Sequence, residues 1–251
     1  MKRIDLPHGL LVDHDSGHVL TLPKRTTHYV VNVLRFQVGD RFELIDGTGR
    51  VATAELLNAD DSAQVRLQQV DRVTYAESPL HTTLFQAIPK GKRWEWLIEK
   101  ATELGVHRIV PVHSEHTVVN LPDHRVDDRL ERWQKKASSA ARQSQRSVSP
   151  TILRPSSLAD AIALDDADRS IVAHVNDRAK PLMAWLNTVA PIDSISIWIG
   201  PEGGFADDEI QRLAETGTDP IFLGPRILRA DTAGIALLSI LQSTRGDLSL
   251  D

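Results

Sequence analysis

The rhythm of hydrophobic and polar positions changes once along this chain. Up to residue 72 the apolar positions fall in short runs: HVLTLP (18–23), DRFELIDG (40–47), RVATAELL (50–57) and AQVRLQQV (63–70). They are rich in Val, Leu, Phe and Thr and are separated by Gly, Asp and Asn, which predicts short strands joined by turns. DGTG (46–49) is a candidate hairpin turn. THYVVNVLR (27–35) has a spacing that fits a short helix as well as a strand. Strands at this interval predict a small barrel, with Ser78-Pro79 as a linker after it.

Beyond the linker, strand and helix patterns alternate. HTTLFQAIP (81–89), RIVPV (108–112), SIVAHV (170–175), SISIWIG (194–200) and DPIFLG (219–224) read as strands. KRWEWLIEKATEL (92–104) reads as a helix with Trp94, Leu97, Ile98, Ala101 and Leu104 on one face, stopped by Gly105. Trp96 falls off that stripe. DDRLERWQKKASSAARQSQR (127–146), DDEIQRLAET (207–216) and DTAGIALLSILQS (231–243) read as further helices, the last two beginning at acids that suit a helix N-terminus. The last is apolar on so much of its circumference that burial on several sides is expected. Alternation of this kind predicts an α/β domain with a mainly parallel sheet and helices on both faces.

Composition is that of an ordinary globular chain, with 41% hydrophobic and 25% charged residues over 251 positions. The absence of cysteine excludes disulfides, thiolate metal sites and a cysteine nucleophile. No signal-like or membrane-length apolar run is present, so a cytoplasmic protein is expected. The net charge of −5 hides a gradient. Residues 86–150 carry 12 Lys+Arg against 8 Asp+Glu, whereas residues 151–251 carry 8 against 15. The middle of the chain is therefore the candidate face for a polyanion.

In open α/β sheets ligands sit beyond the carboxyl ends of strands. Three strands end in informative loops: His174–Asn176, Gly200-Pro201-Glu202-Gly203-Gly204, and Leu223-Gly224 leading to a helix near Asp231. The glycines permit sharp turns and close approach to a ligand. Neither a P-loop nor the spaced-glycine dinucleotide fingerprint is present. Glu202, Asp207, Asp208 and Glu209 crowd the place where a bound phosphate would need positive potential. A neutral or cationic ligand is expected, and S-adenosylmethionine fits that description where ATP does not.

IGPEGGF (199–205) followed by LGPRILRADTA (223–233) closely resembles the two C-terminal signatures of the ribosomal RNA small-subunit methyltransferase E family, within the SPOUT or α/β-knot methyltransferases. HYVVNVLRFQVGD (28–40) with DGTG resembles the family's PUA-like N-terminal domain, and PKGKRWEWLIEKATELGV (89–106) and AARQSQRSVSP (140–150) its central motifs. The resemblance implies a PUA-like β-barrel over residues 1–75 and a SPOUT trefoil-knot methyltransferase domain over 76–251. It implies a homodimer that uses S-adenosyl-L-methionine to methylate N3 of a uridine in 16S ribosomal RNA. A non-catalytic ribosome-assembly factor, or a methyltransferase for another RNA site, is the competing reading; the intact glycine loops argue against loss of catalysis.

By matching positions, the cofactor would be held by Val175, Asn176, Gly200, Pro201, Glu202, Gly203, Gly204, Leu223, Gly224, Ile227 and Leu228, with backbone groups of Leu223, Ile227 and Leu228 on the adenine edge. Arg229 would stabilise charge on the uracil, because its pKa is too high for it to act as a base. Asp231 stands where the family usually has Glu, after Ala230 in place of Thr, and is a candidate catalytic carboxylate. Asp231, His174 or water would take the N3 proton. RNA contacts would come from Arg3, His28 and Arg35 in the barrel and from Lys90, Lys92 and Arg93 before a helix. Arg142 and Arg146, four apart and so on one helix face, would add to them with Gln143. Ile199 and Ile221 are expected in the core. No metal is expected.

Overall fold

A computed structural model of the protein describes residues 1–72, 77–91, 93–119, 121–174 and 178–248. It divides into two compact units, one of Met1–Glu77 with Ala141–Ser149 and one of Ser78–Ala140 with Pro150–Asp251.

In the first unit β1 (Arg3–Asp5), β2 (Val19–Thr21), β3 (Arg41–Ile45), β4 (Arg50–Leu56) and β5 (Gln64–Arg72) form one sheet in the order β1-β3-β4-β5-β2. The alternation seen in the sequence is the in/out alternation of these strands: Phe42 and Leu44, Ala52, Ala54 and Leu56, and Val65 and Leu67 all face a common core. Residues 27–33 resolve as helix, and Leu34 and Arg35 lie beyond its end. Helix α1 (Lys24–His28) runs into a π-turn at Tyr29–Val33, which buries Val30 and leaves Tyr29 and Val33 exposed. The DGTG turn joins β3 to β4, with Gly47 and Gly49 at φ +75° and +85°. Asp46 organises it, accepting from Leu11 N–H at 2.7 Å and from Thr48 Oγ1 at 2.6 Å. The 147–149 segment then runs beside the turn: Gly49 N–H donates to Ser147 O, and Ser149 N–H to Gly47 O, each at 3.1 Å.

The second unit is built on an all-parallel sheet. Its strands are β6 (His81–Ala87), β7 (Arg108–His113), β8 (Thr151–Ile152), β9 (Ser156–Ser157), β10 (Arg169–Ala173), β11 (Lys180–Pro181), β12 (Ser194–Ile199) and β13 (Asp219–Phe222). Their order is β11-β13-β10-β12-β6-β7-β8, with β9 also pairing with β7. Successive residues point to opposite faces and serve separate cores. Leu84, Ile109, Ile171, Ile197, Ile199 and Ile221 pack under α2 (Arg93–Glu103), α3 (Val126–Gln143), α5 (Leu182–Leu186) and α7 (Ala230–Arg245). Phe85, Val110, Val172 and Trp198 pack under α4 (Leu158–Ala163) and α6 (Asp207–Glu215). Of the expected α2 stripe, Trp94, Leu97, Ile98 and Ala101 are buried and Leu104, one residue past the helix, is partly buried, while Trp96 is 44% exposed. Along α7, Leu237, Leu238 and Leu241 are fully buried, and Ile235 and Ile240 are only partly covered. No helix among the described residues is long and apolar enough to cross a membrane.

Candidate functional site

Because every pairing in the larger sheet is parallel, all its strand-to-helix loops leave from one edge. Strands β13, β10 and β12 are immediate neighbours, with Ala173 opposite Ile221 and Val172 opposite Trp198. Their exits are the 223–228 loop, His174 and the 200–204 loop. The next two strands, β6 and β7, deliver Lys90, Gly91 and Arg93, and Ser114–Val118, to the same edge. Five loops that are far apart in sequence thus share one rim.

The 200–204 loop folds back on itself. A Cβ on Gly200 would lie 2.9 Å from Phe205 N and 3.1 Å from Gly204 C, so only glycine lets the two backbone stretches meet. Gly204 sits at φ +75°, and its N–H closes a turn onto Pro201 O at 2.9 Å. Glu209, in the first turn of α6, holds the far end. It is 5% exposed and accepts from Ala206 N–H and from Glu115 N–H, each at 2.9 Å. This is half of a capping box, since Ala206 has no side-chain oxygen to reciprocate. His116 makes a second tie: its Nδ1 lies 3.1 Å from Gly204 O, and its Cβ leaves only 3.1 Å for a Cβ at Gly203. A carbonyl only accepts, so Nδ1 carries the proton in this contact.

Arg93 makes the third tie. At the start of α2 its guanidinium lies 3.6 Å from Glu202 and 3.9 Å from Asp231, joining the glycine loop to the start of α7. Arg93 is expected on RNA; here it stands within ion-pair distance of Glu202 in the loop and of Asp231 in the first turn of α7. Asp231 also accepts from Thr232 N–H at 3.0 Å. Arg229, the residue before α7, is exposed and has no ion pair among the described residues, so its guanidinium is free to meet a ligand. In the 223–228 loop Gly224 adopts φ +115°, Leu223 and Leu228 are partly buried, and Ile227 is 97% exposed. His174 is held below the ordinary imidazole pKa by burial, with Asp207 pulling weakly the other way, so it is neutral at pH 7. Val175, Asn176 and Lys92 lie outside the described residues. Ile199 and Ile221 are core residues, 2% and 0% exposed.

The cations of the first unit divide. His28 and Arg35 are exposed, His28 beside Asn32 at 3.1 Å and Arg35 at φ +57°. Arg3 pairs with Glu43 at 3.1 Å and Arg142 with Asp5 at 3.1 Å, while Gln143 is exposed at the last position of α3. Burial raises the Asp5 carboxyl above its usual range, against the pull of Arg142 and Arg3. Arg146 corrects the sequence reading. The helix ends at Gln143, and Gln145 turns the chain at φ +62°, so Arg146 does not share a helix face with Arg142. It is 3% exposed and pairs at 2.7 Å with Glu77, which also accepts from Val148 N–H at 2.8 Å. A buried cation tied in this way is structural, and it leaves the candidate RNA surface.

Glu209 as a loop anchor and His116 and Glu115 as site residues escaped the sequence reading. The Ser114–Val118 loop follows the strand RIVPV, so the rule that placed the other loops would also have pointed to it. Glu209 carries no such signal, because the residue three before it is Ala rather than a capping Ser or Thr.

Comparison with known proteins decides the family. Residues 76–242 match the RNA methyltransferase domain family and residues 22–68 the RNA methyltransferase PUA domain. The ribosomal RNA small subunit methyltransferase E of Bacillus subtilis is 32% identical over 242 residues, covering 93% of this chain and 94% of that protein. The chain belongs to the ribosomal RNA small-subunit methyltransferase E family. Another family member, from Buchnera aphidicola of Acyrthosiphon pisum, is 32% identical over 237 residues, covering 94% of this chain and 92% of that one. The crystal structure of the Neisseria gonorrhoeae family member bound to S-adenosyl methionine is 32% identical over 99% of this chain and 100% of that one, with a TM-score of 0.81. A Legionella pneumophila protein described as a putative methyltransferase, also in complex with the cofactor, covers 98% of both chains at 31% identity and the same TM-score. The larger unit is accordingly the family's SPOUT-type α/β methyltransferase domain, and the smaller sheet its PUA domain.

Proposed function

We propose that this protein methylates N3 of a uridine in 16S ribosomal RNA of the small ribosomal subunit, with S-adenosylmethionine as donor. The observation that carries this reading is the convergence of the 200–204 loop, the 223–228 loop and His174 at the ends of three adjacent parallel strands. Backbone there is open at Gly204 and Gly224, and acids are plentiful, as a cationic cofactor bearing hydroxyls and ring nitrogens requires. The cofactor supplies an activated methyl group on a sulfonium sulfur; the sulfur–carbon bond breaks as the carbon–N3 bond forms. What remains for the chain is placement and charge. Backbone groups of Leu223, Ile227 and Leu228 meet the adenine edge. Arg229, exposed and without an ion pair among the described residues, faces the uracil oxygen that gains charge when the N3 proton leaves. Asp231 lies 3.9 Å from the Arg93 guanidinium, and neutral His174 offers an imidazole nitrogen able to accept a proton.

The reading includes a homodimer formed through the methyltransferase domain, which would cover the partly exposed Ile235 and Ile240 of α7. Light scattering at micromolar protein should give the mass of two chains; a single-chain mass with activity retained would exclude an obligate dimer. The substrate is tested by nucleoside mass spectrometry of 16S ribosomal RNA from a strain lacking this protein. Loss of 3-methyluridine, restored by the wild-type chain, is the expected result. Undiminished 3-methyluridine, or loss of a different modified nucleoside, would overturn the assignment.

A further inference from the structure

The glycine loop has a second side. A cleft of about 580 Å³ opens between it and the Ser114–Val118 loop, bounded by Lys90, Glu115, His116, Thr117, Glu202 and Gly203. None of residues 223–228 lines it, so the cleft is not the space in which the two cofactor loops meet. Its volume falls in the range of small-ligand sites and is enough for one nucleotide.

Its chemistry is mixed in a way that narrows the occupant. Lys90 is exposed, and its ammonium has no ion pair among the described residues, so one wall offers a free cation. Glu202 is already paired with Arg93, but Glu115 is exposed and its carboxylate has no partner among the described residues. One free cation and one free acceptor suit a ligand that carries both a phosphate and hydroxyl donors, which describes a ribonucleotide. His116 lines the same cleft through a ring whose Nδ1 is committed to Gly204 O, so occupancy of the cleft and the geometry of the glycine loop share one side chain.

We propose that this cleft receives a nucleotide of the RNA substrate and that His116 is a positioning residue, contacting that nucleotide while holding the Gly203–Gly204 peptide. The inference rests on the RNA methyltransferase reading above but is tested by binding, independently of turnover. Affinity of the full chain for a 16S ribosomal RNA transcript is measured across a salt series, and affinity for S-adenosylmethionine by calorimetry. Lys90→Ala should weaken RNA binding, lower the salt slope by about one unit, and leave cofactor affinity unchanged. His116→Ala should weaken both ligands, the cofactor by about fivefold for one lost hydrogen bond. His116→Asn separates the two roles, because its amide nitrogen takes the place of Nδ1: cofactor affinity should return while RNA affinity stays low. The proposal is overturned if Lys90→Ala and His116→Ala bind the transcript with wild-type affinity and salt slope. It is equally overturned if Lys90→Ala loses the cofactor but keeps the RNA, since the cleft would then belong to the cofactor. Failure of the methylation reading would show instead as unaltered 3-methyluridine in the deletion strain.

Discussion

Glu209 should be worth more to this protein than any exposed acid of the same loop. Its carboxylate is buried and divides its two oxygens between Glu115 N–H and Ala206 N–H, both at 2.9 Å. Glu209→Ala leaves two backbone donors without a partner. A fully buried donor left without a partner costs about 1–3 kcal/mol; these two are part-buried, so water recovers part of the cost, and a combined loss of about 3 kcal/mol is expected. For a domain of this size each kcal/mol lowers Tm by roughly 2–4 °C, giving a fall of about 6–12 °C. Glu209→Gln keeps one acceptor oxygen and should fall between. The same variants release the end of the glycine loop, so S-adenosylmethionine must order it on binding, and affinity should drop by about tenfold if that costs about 1.4 kcal/mol. Thermal unfolding and calorimetry read the two effects separately. A Glu209→Ala protein within about 2 °C of wild type would refute the claim that this buried carboxylate holds the two part-buried donors.

Arg146→Ala strands the buried Glu77 carboxylate and should cost about 3–5 kcal/mol, whereas Arg142→Ala, removing a half-exposed pair with Asp5, should cost no more than about 1 kcal/mol; denaturant midpoints compare them. Gly200→Ala drives a Cβ to 2.9 Å from Phe205 N, a backbone atom that cannot step aside, and should destabilise by about 1–3 kcal/mol and abolish cofactor binding; wild-type calorimetry from a folded variant would contradict the loop geometry. His113 and His174 are both held below the ordinary imidazole pKa by burial, so below about pH 6.5 the unfolded chain binds more protons than the folded one. Stability contributed by these rings is complete at neutral pH and is lost as pH falls from the ordinary imidazole value through the lowered value of the folded state. His113→Gln should flatten the decline in Tm between about pH 7 and 5, and an unchanged slope would remove His113 from this account.

The sequence was most readable where one residue's pattern sufficed. Period-two strands and the Trp94–Leu97–Ile98–Ala101 stripe are written by burial on a single face, and each emerged in the expected element. The two-residue strands β8, β9 and β11 were missed because two residues carry no period at all. The end of α3 was missed for a different reason. AARQSQR continues a helical composition with no Gly or Pro to stop it, and the chain turns at Gln145, a residue type that rarely adopts positive φ. What holds that turn is Arg146 reaching Glu77, 69 positions away in sequence. No local pattern encodes a pairing of that separation, and the return of residues 141–149 to the first unit was hidden with it. The glycine loops themselves were legible, because proline and glycine break the apolar strand pattern at the point where each strand ends; their fastenings were not.

Those fastenings have a physical purpose that orders their importance. Methyl transfer needs its two reacting atoms aligned, so a loop that holds the donor must be stiff, yet loops rich in glycine are the first to open. Here the stiffness is supplied from outside the loop, by α6 through Glu209, by the exit of β7 through His116, and by the start of α2 through Arg93. The three are unequal. Glu209 is buried and makes two charge-assisted bonds at 2.9 Å, the conditions under which such bonds are strong. His116 is exposed and makes one, at 3.1 Å, to a neutral carbonyl. Arg93 is 40% exposed along its side chain and stands 3.6 and 3.9 Å from its carboxylates, at the edge of useful contact and open to screening by salt. Cofactor affinity should therefore fall in the order Glu209→Ala, His116→Ala, Arg93→Ala, and only the last should become harmless in high salt. A chain in which Arg93→Ala proved the most damaging, at any salt, would mean that its guanidinium serves a bound ligand rather than the loop.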